Sequence, residues 1–206
     1  MEMTPQLQVQ GLCFRFETRA LFEQYSLTLE PGISWLRGAN GAGKTTLLKL
    51  LSGGLTPHAG SIRMAGIDSA RAPLAYRLQS FMCGGDVPQL PWLTVQEFLD
   101  LHLALYPGAD PAMLTAQLDA FGLMPTLRQS LATLSLGQHK KVQLALALSL
   151  PVRLLLIDEP FNGLDAGALD YLRRQLSDPA RLERACIVLT SHLDPLVPVR
   201  RTLDLD

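Results

Sequence analysis

"GANGAGKTT", residues 38–46, decides the fold. It matches G-x-x-x-x-G-K-[ST], with the apolar segment "ISWL" (33–36) before it and "LLKLLSGG" (47–54) after it, the strand and helix the motif requires. Gly38, Gly41 and Gly43 let the backbone fold back so that successive N–H groups converge on phosphate oxygens. The helix N-terminus beyond them adds a partial positive charge that favours an anion. Lys44 is placed to reach β- and γ-phosphates, the Thr45 hydroxyl to bind Mg²⁺, and Thr46 to add a hydroxyl contact; Asn40 sits within the same loop and is grouped with them.

A second acidic signal lies far along the chain. "RLLLIDEP" (153–160) is a continuous apolar run of the kind that forms a buried parallel strand. Asp158 and Glu159 stand where it emerges, and ligands of open α/β sheets bind beyond such carboxyl ends. Asp158 is assigned to Mg²⁺ through water, and Glu159 to orienting and deprotonating an attacking water.

The rest of the chain fits an α/β core. Leu7-Val9, Leu12-Phe14-Phe16 and Leu27-Leu29 alternate as half-buried antiparallel strands do. Thr94 and Glu97 form a capping box ahead of "VQEFLDLHLALY", Asp110-Pro111 opens a second helix, and Gly122 ends it. A helix is expected over 166–176, followed by the strand "ACIVLTSH". The expected architecture is a P-loop NTPase core with a parallel sheet, a small N-terminal antiparallel β region, and a helical subdomain inserted before residue 135. One domain spans 1–206, with the β region and core at about 1–80 and 150–206 and the helical subdomain at about 90–149.

Composition excludes several classes. The 206 residues carry a formal charge of −1 and a pI near 6.4, so there is no broad basic face for nucleic acid. Lys140-Lys141, Arg173-Arg174 and Arg200-Arg201 are read as solvated helix or tail surface. Cys13, Cys83 and Cys186 are an odd, widely spaced set, which favours a reducing cytosol over a disulfide framework. No signal peptide is expected, and "LALALSLPVRLLLI" (144–157) is broken by Pro151 and Arg153 and is too short to span a bilayer. His58, His102 and His139 are read as structural.

"LSLGQ" (134–138) has two readings. Ser135 and Gln138 have capping-box spacing before a helix. A capped helix start is equally an anion site. With the phosphate loop before it and the acidic strand after it, "LSLGQ" resembles the L-S-G-G-Q signature of ATP-binding-cassette (ABC) transporter ATPases. "FNGLD" (161–165) resembles that family's D-loop, ending in Asp165; His192 resembles its switch histidine, and Phe16 its adenine-stacking aromatic. Phe16 is also open to reading as an ordinary core aromatic, and Asp165 as a helix cap.

The resemblance implies ATP and Mg²⁺, hydrolysis coupled to transport, and a head-to-tail pair with a second copy or a paralogous cassette. In that pair Ser135, Gly137 and Gln138 meet the partner's γ-phosphate, and Glu159, His192 and Lys44 act catalytically. It also implies a separate transmembrane permease contacting 81–106, with Trp92 either an exposed anchor or packed inside, and a peripheral position on the cytoplasmic face of the inner membrane. Compact bacterial exporters, including the haem exporter of cytochrome c maturation, are similar in size and in "EPFNGLD". A soluble ABC ATPase acting on nucleic acid or ribosomes is the alternative, though no long heptad segment lies between 55 and 133. A small-molecule kinase fits the signature, D-loop and His192 poorly.

Two departures stand out. Leu136 replaces the first signature glycine. Where the family has a strand-end Gln touching Mg²⁺, the register gives Gly85, or Asp86 with one deletion, and Asp86 is the expected third metal residue; Gln89 lies further along.

Overall fold

The computed structural model describes residues 6–17, 19–84 and 90–205. Gly85, Asp86 and Gln89 therefore lie outside the described residues.

Two sheets stack around the phosphate loop. The first is antiparallel, in the order β2-β1-β4-β5, from β1 (Leu7–Phe16), β2 (Arg19–Leu29), β4 (Ala59–Met64) and β5 (Ile67–Asp68). Leu7, Val9, Leu12 and Phe14 turn inward, and the alternation slips at Gly11, where the register with both neighbours shifts. The three short segments expected there thus belong to two long antiparallel strands, β1 and β2.

The second sheet has the order β6-β7-β8-β3-β9, with every neighbouring pair parallel. Its strands are β3 (Gly32–Gly38), β6 (Ser80–Cys83), β7 (Leu154–Ile157), β8 (Cys186–Thr190) and β9 (Val199–Leu205). β7 and β8 are buried throughout, as strands covered on both faces must be. β9 was not anticipated: in "VRRTLDL" the inward side chains are few, because this edge strand buries Leu203 and Leu205 and exposes most of the rest.

Two apolar cores lie on opposite faces of this parallel sheet. One joins the antiparallel sheet and α1 (Lys44–Leu51) to β3, β7 and β8. The other holds α3 (Val95–Leu105), α4 (Pro111–Ala120), α5 (Leu136–Ser149) and α6 (Ala166–Leu176). α2 (Pro73–Arg77) and α7 (Pro179–Arg184) are short connectors. Both capping boxes form: the Thr94 hydroxyl accepts the Glu97 N–H and the Ser135 hydroxyl that of Gln138, with each partner side chain returning to the cap's own N–H. Such a cap stabilises a helix by about 1 kcal/mol. Among the described residues, no helix is long and apolar enough to cross a membrane.

Candidate active site

The carboxyl ends of β3, β7 and β8 converge on a cavity of about 330 Å³ lined by Phe16, Arg19, Leu21, Asn40, Gly41, Gly43, Lys44, Thr45, Thr46, Asp158, Glu159 and His192. The strand-to-helix turn at its floor depends on glycine. Gly43, the N-cap of α1, has φ +102°, and a Cβ there would sit 2.9 Å from Leu21 Cδ2. α3, α4, α5, α6 and α7 are all capped by a side chain, but α1 is not. Its first-turn N–H groups stay open to an anion. The buried Lys44 ammonium donates to the carbonyls of Gly38 (2.8 Å) and Ala39 (3.1 Å), which hold it at the rim of the loop.

The acidic pair is built by β7 and its neighbour β8. The buried Asp158 receives the Thr45 hydroxyl on Oδ2 and the Thr190 hydroxyl on Oδ1, both at 2.6 Å. The backbone N–H of Glu159 in turn donates to Thr190 Oγ1 at 2.8 Å. On the other side, β6 passes so close that a Cβ on Gly84 would meet the Asp158 carbonyl oxygen at 2.3 Å. Two hard oxygen donors, Thr45 and Asp158, fit Mg²⁺, which keeps several waters and takes few protein ligands. Among the described residues no cluster of three His, Cys, Asp or Glu exists that would compete for a metal.

Glu159 adopts a left-handed backbone, φ +49°, which a non-glycine residue holds only under constraint. Asn162 Nδ2 donates to its Oε2 at 3.2 Å. His192 Nε2 approaches Oε1 to 3.3 Å but without hydrogen-bond alignment, so this buried oxygen has no hydrogen-bond partner. An unpaired buried carboxylate oxygen is costly to keep and suits a group that takes a proton.

The structure resolves several of the alternatives the residues left open. Phe16 is 54% exposed and rims the cavity, while Phe14, edge-on to it at 5.0 Å, is the core aromatic. Asp165 caps α6 through the Ala168 N–H at 2.9 Å and pairs with Lys141 at 2.5 Å; that lysine hydrogen bond holds its carboxyl below the usual range. Trp92 is 74% exposed, not packed inside. Leu136 is 89% exposed.

Ser135, Gly137 and Gln138 do not reach the Lys44 cavity. Gly137 instead lines a separate hollow of about 540 Å³ with Gly84, Leu136, Asn162 and Gly163.

One reading is corrected. Lys140 and Lys141 are not a solvated surface pair: Lys140 Nζ donates to the carbonyls of Glu159 and Asn162 (2.8 Å to the latter), and Lys141 binds Asp165. Periodicity alone cannot reveal this, because a long lysine stem lets the charge leave its own helix face. Thr190 was also missed; its signal is a hydroxyl closing an otherwise apolar buried strand.

An α/β fold with a phosphate loop and an acidic strand end facing one cavity defines a P-loop nucleotide-binding protein. The comparisons sharpen this. The ABC transporter family profile matches residues 22–162, and a second profile, for an AAA domain, matches 127–199. The cytochrome c biogenesis ATP-binding export protein CcmA of Pseudomonas syringae is 36% identical over 208 residues, covering 98% of this chain and 96% of its own. The sulfate/thiosulfate import ATP-binding protein CysA 2 of Chromobacterium violaceum is 34% identical over 200 residues, 92% of this chain, which spans about half (52%) of that relative. A solved ATP-binding subunit of an ABC transporter superposes with a TM-score of 0.83 at 29% identity, over 91% of this chain and 79% of its own. The chain belongs to the ABC transporter family, as an ATP-binding ATPase subunit.

Proposed function

We propose that this chain drives a bacterial exporter as one half of a head-to-tail pair, with two ATP molecules closed between the halves. The observation that carries the reading is a division of labour. Lys44, Thr45, Asp158, Glu159 and His192 share one cavity, whereas Ser135 and Gly137, at the capped start of α5, lie outside it. A second copy, or a paralogous cassette, brings that helix start to the phosphate.

In this account Lys44 leaves the Gly38 and Ala39 carbonyls for the β- and γ-phosphates, and the open α1 amides cradle them. Thr45 and Asp158 would hold Mg²⁺, which would supply charge neutralisation for the phosphates. Phe16 carries the adenine. Glu159 orients the attacking water and takes its proton, and His192 contacts the γ-phosphate beside it. Asp165 helps link the two sites. Loss of the γ-phosphate removes the contacts that hold the pair, so hydrolysis reopens it.

The 81–106 region, which includes the exposed Trp92, is the side we assign to a separate permease. That docking puts the chain on the cytoplasmic face of the inner membrane. Export is favoured by relatives that are named as export proteins and match along nearly all of their length. Asp86, outside the described residues, remains our assignment for a third Mg²⁺ contact.

The test is ATP hydrolysis by Glu159→Gln. A loss of about 10²–10⁴-fold with retained ATP binding is expected for removal of a general base. Hydrolysis at the wild-type rate would overturn the assignment.

A further inference from the structure

We infer that Lys140 is a positioning residue for Glu159: it ties the signature helix of this chain to the chain's own general base. The inference deepens the proposed function and rests on Glu159 being that base.

Three observations converge. Lys140 Nζ donates to the backbone carbonyl of Glu159 and to that of Asn162, which brackets the turn 159–162 from one side. That turn is the constrained one, with Glu159 left-handed. Its first backbone N–H donates to the Thr190 hydroxyl, while His192 approaches the Glu159 carboxylate and the Arg173 guanidinium lies over the Phe161 ring. Lys140 also sits in the second turn of α5, whose N-cap is Ser135 and whose first turn carries Gly137 and Gln138. Three residues on, Gln143 Oε1 accepts the Gly84 N–H at 3.0 Å, so one face of α5 holds the ends of both β6 and β7.

The ammonium does what no neutral side chain does at this point. Two carbonyl oxygens facing one cation make charge-assisted hydrogen bonds, stronger than neutral ones. They anchor the Glu159 carbonyl and so help to hold the left-handed turn (φ +49°) from which its carboxylate leaves the chain. Burial lowers the Lys140 pKa, and the nearby Cys83, Glu159 and Asp158 oppose that shift. Any movement of α5, whether from the partner's nucleotide at its N-terminus or from β6, is then felt at the Glu159 backbone without passing through the phosphate loop.

The experiment compares Lys140→Met, Lys140→Arg and Glu159→Gln in the full chain, singly and as the double variant Lys140→Met/Glu159→Gln. For Lys140→Met the expected result is a fall in kcat of about tenfold or more, with KM for ATP within about twofold. Lys140→Arg restores most of the loss, because a guanidinium also donates to two carbonyls. In the Glu159→Gln background, Lys140→Met costs nothing further, since two residues acting as a unit are non-additive.

Hydrogen exchange of the nucleotide-free protein gives a readout independent of turnover. In Lys140→Met the amides of 159–163 exchange faster while those of α5 keep their protection. Should Lys140→Met fail to fold, Lys140→Gln takes its place in both measurements. Unchanged kcat and unchanged exchange at 159–163, or equal losses in both backgrounds, would overturn the inference while leaving the base assignment intact. Wild-type hydrolysis by Glu159→Gln would remove both.

Discussion

The Thr190 hydroxyl donates to Asp158 Oδ1 at 2.6 Å and accepts the N–H of Glu159 at 2.8 Å. One buried side chain on β8 thus fixes the carboxylate we assign to Mg²⁺ and the backbone of the proposed base. Thr190→Val keeps the shape and removes both bonds, stranding a buried carboxylate oxygen and an amide. We expect a stability loss of about 1–3 kcal/mol in chemical denaturation and a reduced kcat, with Thr190→Ser close to wild type. A Thr190→Val protein as stable and active as wild type would show that the Thr45 hydroxyl, with the Cys83 carbonyl that accepts the Asp158 N–H at 2.9 Å, suffices to hold Asp158.

Lys44 donates to the carbonyls of Gly38 and Ala39 at an open cavity, where water can take its place. Lys44→Ala should therefore fold. Its affinity for Mg-ATP should fall roughly 10- to 100-fold, the worth of one charge-assisted hydrogen bond at about 1.5–3 kcal/mol. Titration with a fluorescent ATP analogue checks this, and equal affinity for the two proteins contradicts it.

How much of this was legible in the sequence follows from what each feature depends on. The phosphate loop, the acidic strand end and both capping boxes are local, so spacing reveals them: Gly43 needs its left-handed φ and Thr94 needs Glu97 three residues on. The parallel core was legible because β7 and β8 are apolar without interruption. β9 was not, because an edge strand with exposed Arg200, Arg201 and Thr202 lacks a pattern of its own. Thr190 and Lys140 matter through contacts 19 to 32 residues away in the chain, and no local spacing encodes those. Phe16 and Trp92 could be told apart from core aromatics only by their exposure.

The pH dependence of stability has a readable contribution. His102 packs against Phe98 with ring centroids 4.3 Å apart, its Nδ1 lies 2.8 Å from the Phe98 carbonyl, and burial lowers its pKa below the ordinary 6.5. His139 is lowered in the same way. A histidine whose folded pKa is depressed takes up its proton more readily when unfolded, so its contribution is full above about pH 6.5 and is lost as the pH falls below that value. The melting temperature should hold between pH 8 and 7 and begin to fall near pH 6.5. His102→Gln should fall less over the interval from pH 7 to 5.5. An identical slope in the two proteins would assign the fall to other groups.

The central claim is that the start of α5 completes a site on another molecule, although Leu136 stands where the family has glycine. Size-exclusion chromatography with light scattering on Glu159→Gln, with and without Mg-ATP, tests it directly. The account predicts a monomer that becomes a dimer only when Mg-ATP is present and returns to monomer when the nucleotide is removed. A protein that binds Mg-ATP yet stays monomeric at every concentration would contradict it.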